Sequence, residues 1–266
     1  MLTFIDTHAH LNSKQFDADL PKVITSSKKA GIKKIIVPGF DLATSTKSMV
    51  IARQYKNYCF GTCGIHPYHA NKVYDLFETR GEMVKIIEEN KNFVAAIGEV
   101  GLDYHLYGKE DAAGKKNQQK ELLKIEIELA LKYEFPMILH CRNAWEDYAE
   151  ILSEYKNDNL SGVSHCFEGG RLYLDKIVSL GLFIGVNGLT TFSSKVKDTI
   201  EFIPLERMLL ETDAPFLTPE PYRGKRNTPK NIRLVAKFVA GIQNTTVEEV
   251  SKKTSENALG LFNMLK

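Results

Sequence analysis

Short apolar runs alternate with longer amphipathic stretches along the whole chain, and this alternation limits the fold more than any other feature. The runs are Phe4-Ile5, Lys34 to Val37, Tyr58 to Thr62, Phe93 to Ile97, Pro136 to Leu139, Gly162 to Ser164, Leu182 to Val186 and Met208 to Leu210. Each is short and bounded by turn or polar residues, as a buried strand is. Between them, Pro21 to Ala30, Thr44 to Tyr55, Leu76 to Glu89, Asn117 to Tyr133, Trp145 to Tyr155, Leu172 to Leu180, Ser194 to Phe202 and Asn231 to Ala240 read as helices. In the fourth, Leu122, Leu123, Ile127 and Ala130 form one stripe, with Glu126 expected opposite.

Eight such units in 266 residues, with no break in composition, predict a parallel sheet closed on itself. An open doubly wound sheet would carry a Gly-rich loop after its first strand. Here Asp6-Thr7-His8-Ala9-His10 stands in that place. One more helix, Val247 to Met264, follows the eighth unit, with Thr245 or Thr246 as its cap. The expectation is an α/β, (β/α)8 TIM-type barrel forming a single domain over residues 1–266, with an additional C-terminal helix.

Charge and cysteine usage narrow the setting. Lys and Arg number 35 against 33 Asp and Glu, too balanced for a general nucleic-acid coat, although a local basic patch stays open. No apolar run approaches the ~18 residues of a membrane span. Asp6, His8 and His10 interrupt the stretch where a signal peptide would be apolar. Cys59, Cys63, Cys141 and Cys166 form no Cys-x-x-Cys pair and read as reduced thiols. A cytoplasmic monomer without membrane contact is expected.

The C-terminal ends of barrel strands share one mouth, where active sites sit. Those ends carry His8 and His10, His66, Glu99, His140, His165 and Asp213. His8 and His10 are two apart, so on a strand both side chains face the same way and can grip one ion. Asp213 would complete that ion's shell, while His140 and His165 would hold a second and Glu99 would bridge the two. Nitrogen and oxygen donors suit divalent zinc, manganese or a related metal. Two divalent ions against two carboxylates leave a positive site, suited to a hydroxide and a phosphate ester.

The chain resembles the TatD-like metal-dependent deoxyribonucleases of the amidohydrolase superfamily. The matching stretches are Asp6-Thr7-His8-Ala9-His10-Leu11, Gly64-Ile65-His66-Pro67 and Gly98 to Tyr104. His140-Cys141-Arg142, His165-Cys166-Phe167, Glu211-Thr212-Asp213-Ala214-Pro215 and Tyr222 to Asn227 follow in the same order. The resemblance implies a divalent-metal site (zinc, manganese or magnesium) and hydrolysis of DNA phosphodiesters by a 3′-to-5′ exonuclease. Carried over by position, it implies His8, His10, Glu99, His140, His165 and Asp213 as metal ligands. The chain departs from the usual pattern at Thr228, where Glu is common, and at Glu126, where Gln is usual.

For the chemistry, Asp213 and Glu99 are the catalytic candidates, with Asp213 either general base or pure ligand. His66 is a phosphate contact or a loop anchor, and Arg142 a phosphate clamp or a salt-bridge partner. Arg223, Lys225, Arg226, Lys230 and Arg233 form a basic run with no acid from Tyr222 to Arg233. A nucleic-acid backbone contact is expected there, led by Arg223 and Arg226. Cys141 and Cys166 should turn toward the helices as core thiols, while Trp145, Tyr104 and Tyr222 are candidates for base stacking or for packing. A rival activity is another amidohydrolase reaction such as D-aminoacyl-tRNA deacylation. Carbamylated-lysine members of that superfamily are a poorer match, because Glu99 stands where they need lysine.

Overall fold

The computed structural model describes residues 2–73, 75–107 and 115–266. Eight parallel strands neighbour one another in chain order: β1 (Phe4–Asp6), β2 (Ile32–Val37), β3 (Cys59–Cys63), β4 (Val94–Asp103), β5 (Met137–Arg142), β6 (Gly162–Ser164), β7 (Phe183–Val186) and β8 (Met208–Leu210). Between successive strands run α1 (Leu20–Lys29), α2 (Leu42–Gln54), α3 (Leu76–Glu89), α4 (Lys116–Tyr133), α5 (Trp145–Glu154), α6 (Gly170–Ser179) and α7 (Ser194–Ile200). Helix α8 (Ile232–Ile242) follows β8, and α9 (Val247–Leu261) is the additional C-terminal helix.

The seam between β1 and β8 closes just past the two strands. Thr7 N donates to Leu210 O at 3.2 Å, Asp213 N to His8 O at 2.8 Å and His10 N to Ala214 O at 2.7 Å. The Thr212 amide and hydroxyl both donate to the buried Asp6 carboxylate, at 2.9 and 2.6 Å. These bonds fix the segments that carry His8, His10 and Asp213. The architecture is thus the (β/α)8 TIM-type barrel that the alternation implies.

At the opposite end, α9 fills what the strands leave open. Ile5, Ile36, Phe60, Ile138, Val163 and Leu209 pack with Ala258, Leu261, Phe262 and Leu265 in one buried cluster. Ser251 Oγ donates to Thr3 O at 2.6 Å, and Asn257 Nδ2 to Leu205 O and Met208 O at 2.8 and 2.9 Å. Thr3 and Leu205 precede β1 and β8, so α9 covers the N-terminal ends of the strands. The Thr246 hydroxyl caps it, accepting from Glu249 N at 3.1 Å.

Strand β4 runs six residues past the expected Ile97, buried throughout. Its register against β5 passes from Gly98↔Ile138 to Val100↔Leu139, leaving Glu99 in a bulge. A bulge re-aims the side chain it carries, and here it directs Glu99 into the mouth. Gly98 is required by proximity, since a Cβ there would lie 2.7 Å from Ile138 Cβ.

The expectation that Glu126 faces outward is wrong. It lies three residues after Leu123 and one before Ile127, on the inner face of α4, and is fully buried. Its Oε1 accepts from Ile65 N at 2.8 Å, whereas Oε2 has no hydrogen-bond partner. Burial pushes this carboxyl well above the ordinary range, so it packs as the neutral acid. The native state therefore binds a proton that the unfolded chain has lost above a pH of about 4.3. Stability must fall as pH rises from there toward the raised native value. We expect Glu126→Gln to gain in melting temperature relative to the parent as pH rises from 5 to 9. Parallel calorimetric scans at the two pH values check this, and a pH-independent difference would contradict it.

Candidate active site

Local chain geometry sends each candidate side chain to one mouth. His8 and His10 flank Ala9, which bridges to Ala214 in parallel fashion beyond β1. Glu99 occupies the β4 bulge, His140 lies within β5, and His165 directly follows β6. Asp213 follows β8 with φ of 55°, a left-handed conformation uncommon for residues other than glycine. His10, Glu99, His140, His165 and Asp213 line a cavity of about 590 Å³, with His66 and Arg142 in its wall. His8 is fully buried immediately behind it.

The Glu99 carboxylate divides these donors into two groups. Its Oε2 lies 3.4 Å from His8 Nε2 and 3.6 Å from His10 Nε2. Those two nitrogens are 3.1 Å apart, and Asp213 Oδ1 is 3.6 and 3.2 Å from them. Four ligands held tetrahedrally about 2.1 Å from one ion stand about 3.4 Å from each other. The spacing therefore fits one metal ion. Glu99 Oε1 lies 2.9 Å from His165 Nε2 and 3.3 Å from His140 Nδ1, and these nitrogens are 3.3 Å apart. That set is equally compact.

Electrostatics favour a cation at this place. Burial alone would raise the Glu99 carboxyl, but the surrounding imidazoles, His165 foremost, outweigh it and hold it well below the ordinary range. Asp213 is likewise buried, yet His10 holds it low. Burial lowers the basicity of His165, but Glu99 and Glu211 reverse this and keep it well above the ordinary value. Two ionised carboxylates buried under imidazoles need positive charge, which protons or a divalent ion can supply.

His66 forms a further compact group with Glu99 and His140. Its own hydrogen bonding argues against metal ligation. His66 Nδ1 accepts from Tyr68 N at 3.0 Å, so the proton of the neutral ring sits on Nε2, 3.4 Å from Glu99 Oε1. Burial, reinforced by His140, pulls its basicity down to about 3, which keeps the ring neutral. His66 thus presents an N–H donor to the cavity.

Two carboxylates back the histidines that the sequence places here, and sequence reasoning missed both. Asp103 Oδ2 lies 3.4 Å from His140 Nε2, and Glu211 Oε1 lies 3.4 Å from His165 Nδ1. Carboxylates so placed set the orientation and basicity of ligating imidazoles. Both residues stand within the quoted stretches Gly98 to Tyr104 and Glu211 to Pro215, Asp103 as the last residue of β4 and Glu211 as the first after β8. Tyr107 OH donates to Asp103 Oδ2 at 2.6 Å and accepts from Arg142 at 2.9 Å. This chain holds the Arg142 guanidinium in the cavity wall.

Other candidates lie elsewhere. Arg223 stacks on Phe192 at 3.6 Å, and Arg226 pairs with both Asp19 oxygens at 3.0 and 2.6 Å. Neither residue lines the cavity. Cys141 is buried in the apolar layer, but Cys166 corrects the expectation of a core thiol. β6 ends at Ser164, and Cys166 adopts φ of 47° and lines the cavity. Trp145 packs among Tyr148, Phe167 and Tyr173, and Tyr104 OH donates to Asp147 at 2.6 Å. The aromatic rings lining the cavity are instead Phe40, Tyr68, Tyr107 and Phe216.

A barrel with such a donor set at its mouth belongs to the class of metal-binding barrels. The chain belongs to the family described as TatD related DNase, whose model matches residues 5–263. It is 38% identical over 259 residues to "Uncharacterized metal-dependent hydrolase YabD" of Bacillus subtilis, covering 97% of this chain and 98% of that protein. It is 32% identical over 266 residues to "3'-5' ssDNA/RNA exonuclease TatD" of Erwinia amylovora, covering 97% and 99%. The crystal structure of YJJV, a TatD homolog from Escherichia coli, matches with a TM-score of 0.89 at 30% identity, covering 98% of each chain. The chain is an enzyme of this family acting on ester bonds. Among the described residues, no helix is long and apolar enough to cross a membrane.

Proposed function

We propose that this chain hydrolyses phosphodiester bonds of single-stranded DNA from the 3′ end, using two divalent ions, zinc, manganese or magnesium. His8, His10, Glu99 and Asp213 would hold one, and Glu99, His140 and His165 the other. The observation carrying this reading is the division of Glu99, one oxygen facing each group. The name of the Erwinia amylovora relative supports the substrate class. The reading takes residues 1–266 as one catalytic unit, working as a cytoplasmic monomer with four free thiols.

Bound divalent ions supply Lewis-acid polarisation of the phosphoryl oxygen and of the attacking water. Asp213, held ionised beside His10, accepts the water's proton and returns it to the departing O3′. The His66 Nε2–H donates to a phosphate oxygen, and Arg142 supplies fixed positive charge at the wall. Phe40 and Phe216 offer faces on which the terminal base stacks.

The test is a time course on 3′- and 5′-labelled single-stranded DNA, with magnesium, manganese or zinc restored separately to metal-free enzyme. Stepwise loss from the 3′ end is expected. Release of D-amino acid from charged tRNA, with no nucleotide released from DNA, would replace this reading by the ester-hydrolase one. Asp103→Asn tests how His140 is oriented. It should weaken metal affinity about 10- to 100-fold in a titration, as loss of an imidazole-orienting carboxylate does. Unchanged affinity would remove Asp103 from the account.

A further inference from the structure

The basic run after β8 does not converge on the reaction cavity. Lys225, Arg226, Lys230 and Arg233 instead line a separate groove of about 940 Å³ on the flank of the barrel, where Lys237 of α8 joins them. Glu248 is the one carboxylate in its lining. Arg226 is held by Asp19, whereas Lys230, Arg233 and Lys237 make no ion pair among the described residues. Arg233 and Lys237 project from α8 away from its buried residues Ile232, Val235, Ala236 and Val239, and Lys230 is exposed in the turn that leads into the helix. From Arg233 to Lys237, four residues on, the helix rises about 6 Å, so the two cations can meet neighbouring phosphates of one strand.

The cavity and the groove are two sides of one loop. Asp213, Phe216 and Leu217 face the cavity, and Tyr222, Lys225 and Arg226 face the groove. Arg226 also donates to Gln15 O, close in sequence to Ser13 at the cavity rim. On the groove side of this loop the Tyr222 ring is exposed, with Lys225 over it.

We propose that this flank groove is a second binding site, which holds the phosphate backbone of single-stranded nucleic acid upstream of the 3′ end in the cavity. The inference rests on the nuclease reading above. Charge complementarity selects the occupant: a line of unpaired cations beside an aromatic face suits a single strand. The groove contributes affinity only for substrates long enough to span both sites.

The test replaces Lys230, Arg233 and Lys237 together by Glu, with a Gln triple variant as the milder control, each first shown to melt as the parent does. Anisotropy titrations use a 4-residue and a 15-residue DNA strand on the metal-loaded enzyme. We expect affinity for the longer strand to fall tenfold or more, and the 4-residue strand to change less than twofold. The slope of log affinity against log salt for the longer strand should become shallower by about 2, as for three lost phosphate contacts. Equal losses on both strands, or no loss on the longer one, would overturn the groove. So would retention of the longer strand with loss of binding to anionic vesicles. Length-dependent loss of binding in an enzyme that releases no nucleotide would support the groove and overturn the nuclease reading instead.

Discussion

Glu99→Gln should abolish turnover, by at least about a thousandfold or ~4 kcal/mol of barrier, while the barrel still folds cooperatively. The replacement keeps the volume of the side chain and removes its charge. It also turns one of two acceptor oxygens into an N–H donor. In the parent, Oε2 is shared with His8 and His10, and Oε1 with His140 and His165. No single amide can serve both groups, so one of them loses its anionic ligand whichever way the side chain is turned. The fold is insulated from the change because the apolar cluster under α9 lies at the other end of the strands. Initial rates on labelled DNA, with unfolding curves on the same preparation, check both halves. Turnover within tenfold of the parent would mean that Glu99 is a bystander.

Removing divalent metal should have the next largest effect, on both activity and stability. A native state holding ions present at about a thousand times the dissociation constant gains ~4 kcal/mol over the metal-free protein. In a chain of this size that corresponds to roughly 10 °C in melting temperature. The expectation follows from two ionised carboxylates buried beneath imidazoles, which lose their best source of positive charge when the ions leave. Chelation should therefore stop turnover and lower the melting temperature together, and restoring one working metal should recover both. Full activity after exhaustive chelation would contradict the metal-dependent account.

The fold was legible because alternation of short apolar runs and amphipathic stretches is a one-dimensional trace of strands covered by helices. The position of His8, Glu99, His140, His165 and Asp213 was legible for a related reason: in a barrel, the end of every strand faces one mouth. What escaped depended on paths that sequence spacing does not encode. Strand β4 was expected to stop at Ile97, because the bulge at Glu99 and the glycines around it break the strand pattern while the strand continues. Cys166 was assigned by strand alternation to the helix layer, but β6 had already ended and the backbone turns left-handed there. Where the loop after β8 carries Arg223 and Arg226, to Phe192 and Asp19 and outside the cavity lining, was not legible either. Glu126 was placed outward by polarity alone, although the helical period put it inside.

Asp103 and Glu211 show a different limit. Each sits at a strand end like the residues that were chosen, but behind a histidine rather than facing the cavity. Distinguishing a carboxylate that faces an ion from one that orients its neighbour requires the direction of each side chain, which a bulge or a left-handed residue resets.

The most direct test of the central claim is the anomalous scattering from crystals grown with manganese. The account predicts two peaks in the mouth, one on each side of the Glu99 carboxylate, the first among His8, His10 and Asp213 and the second beside His140 and His165. A single peak, or a peak held by His66 Nε2, would contradict it.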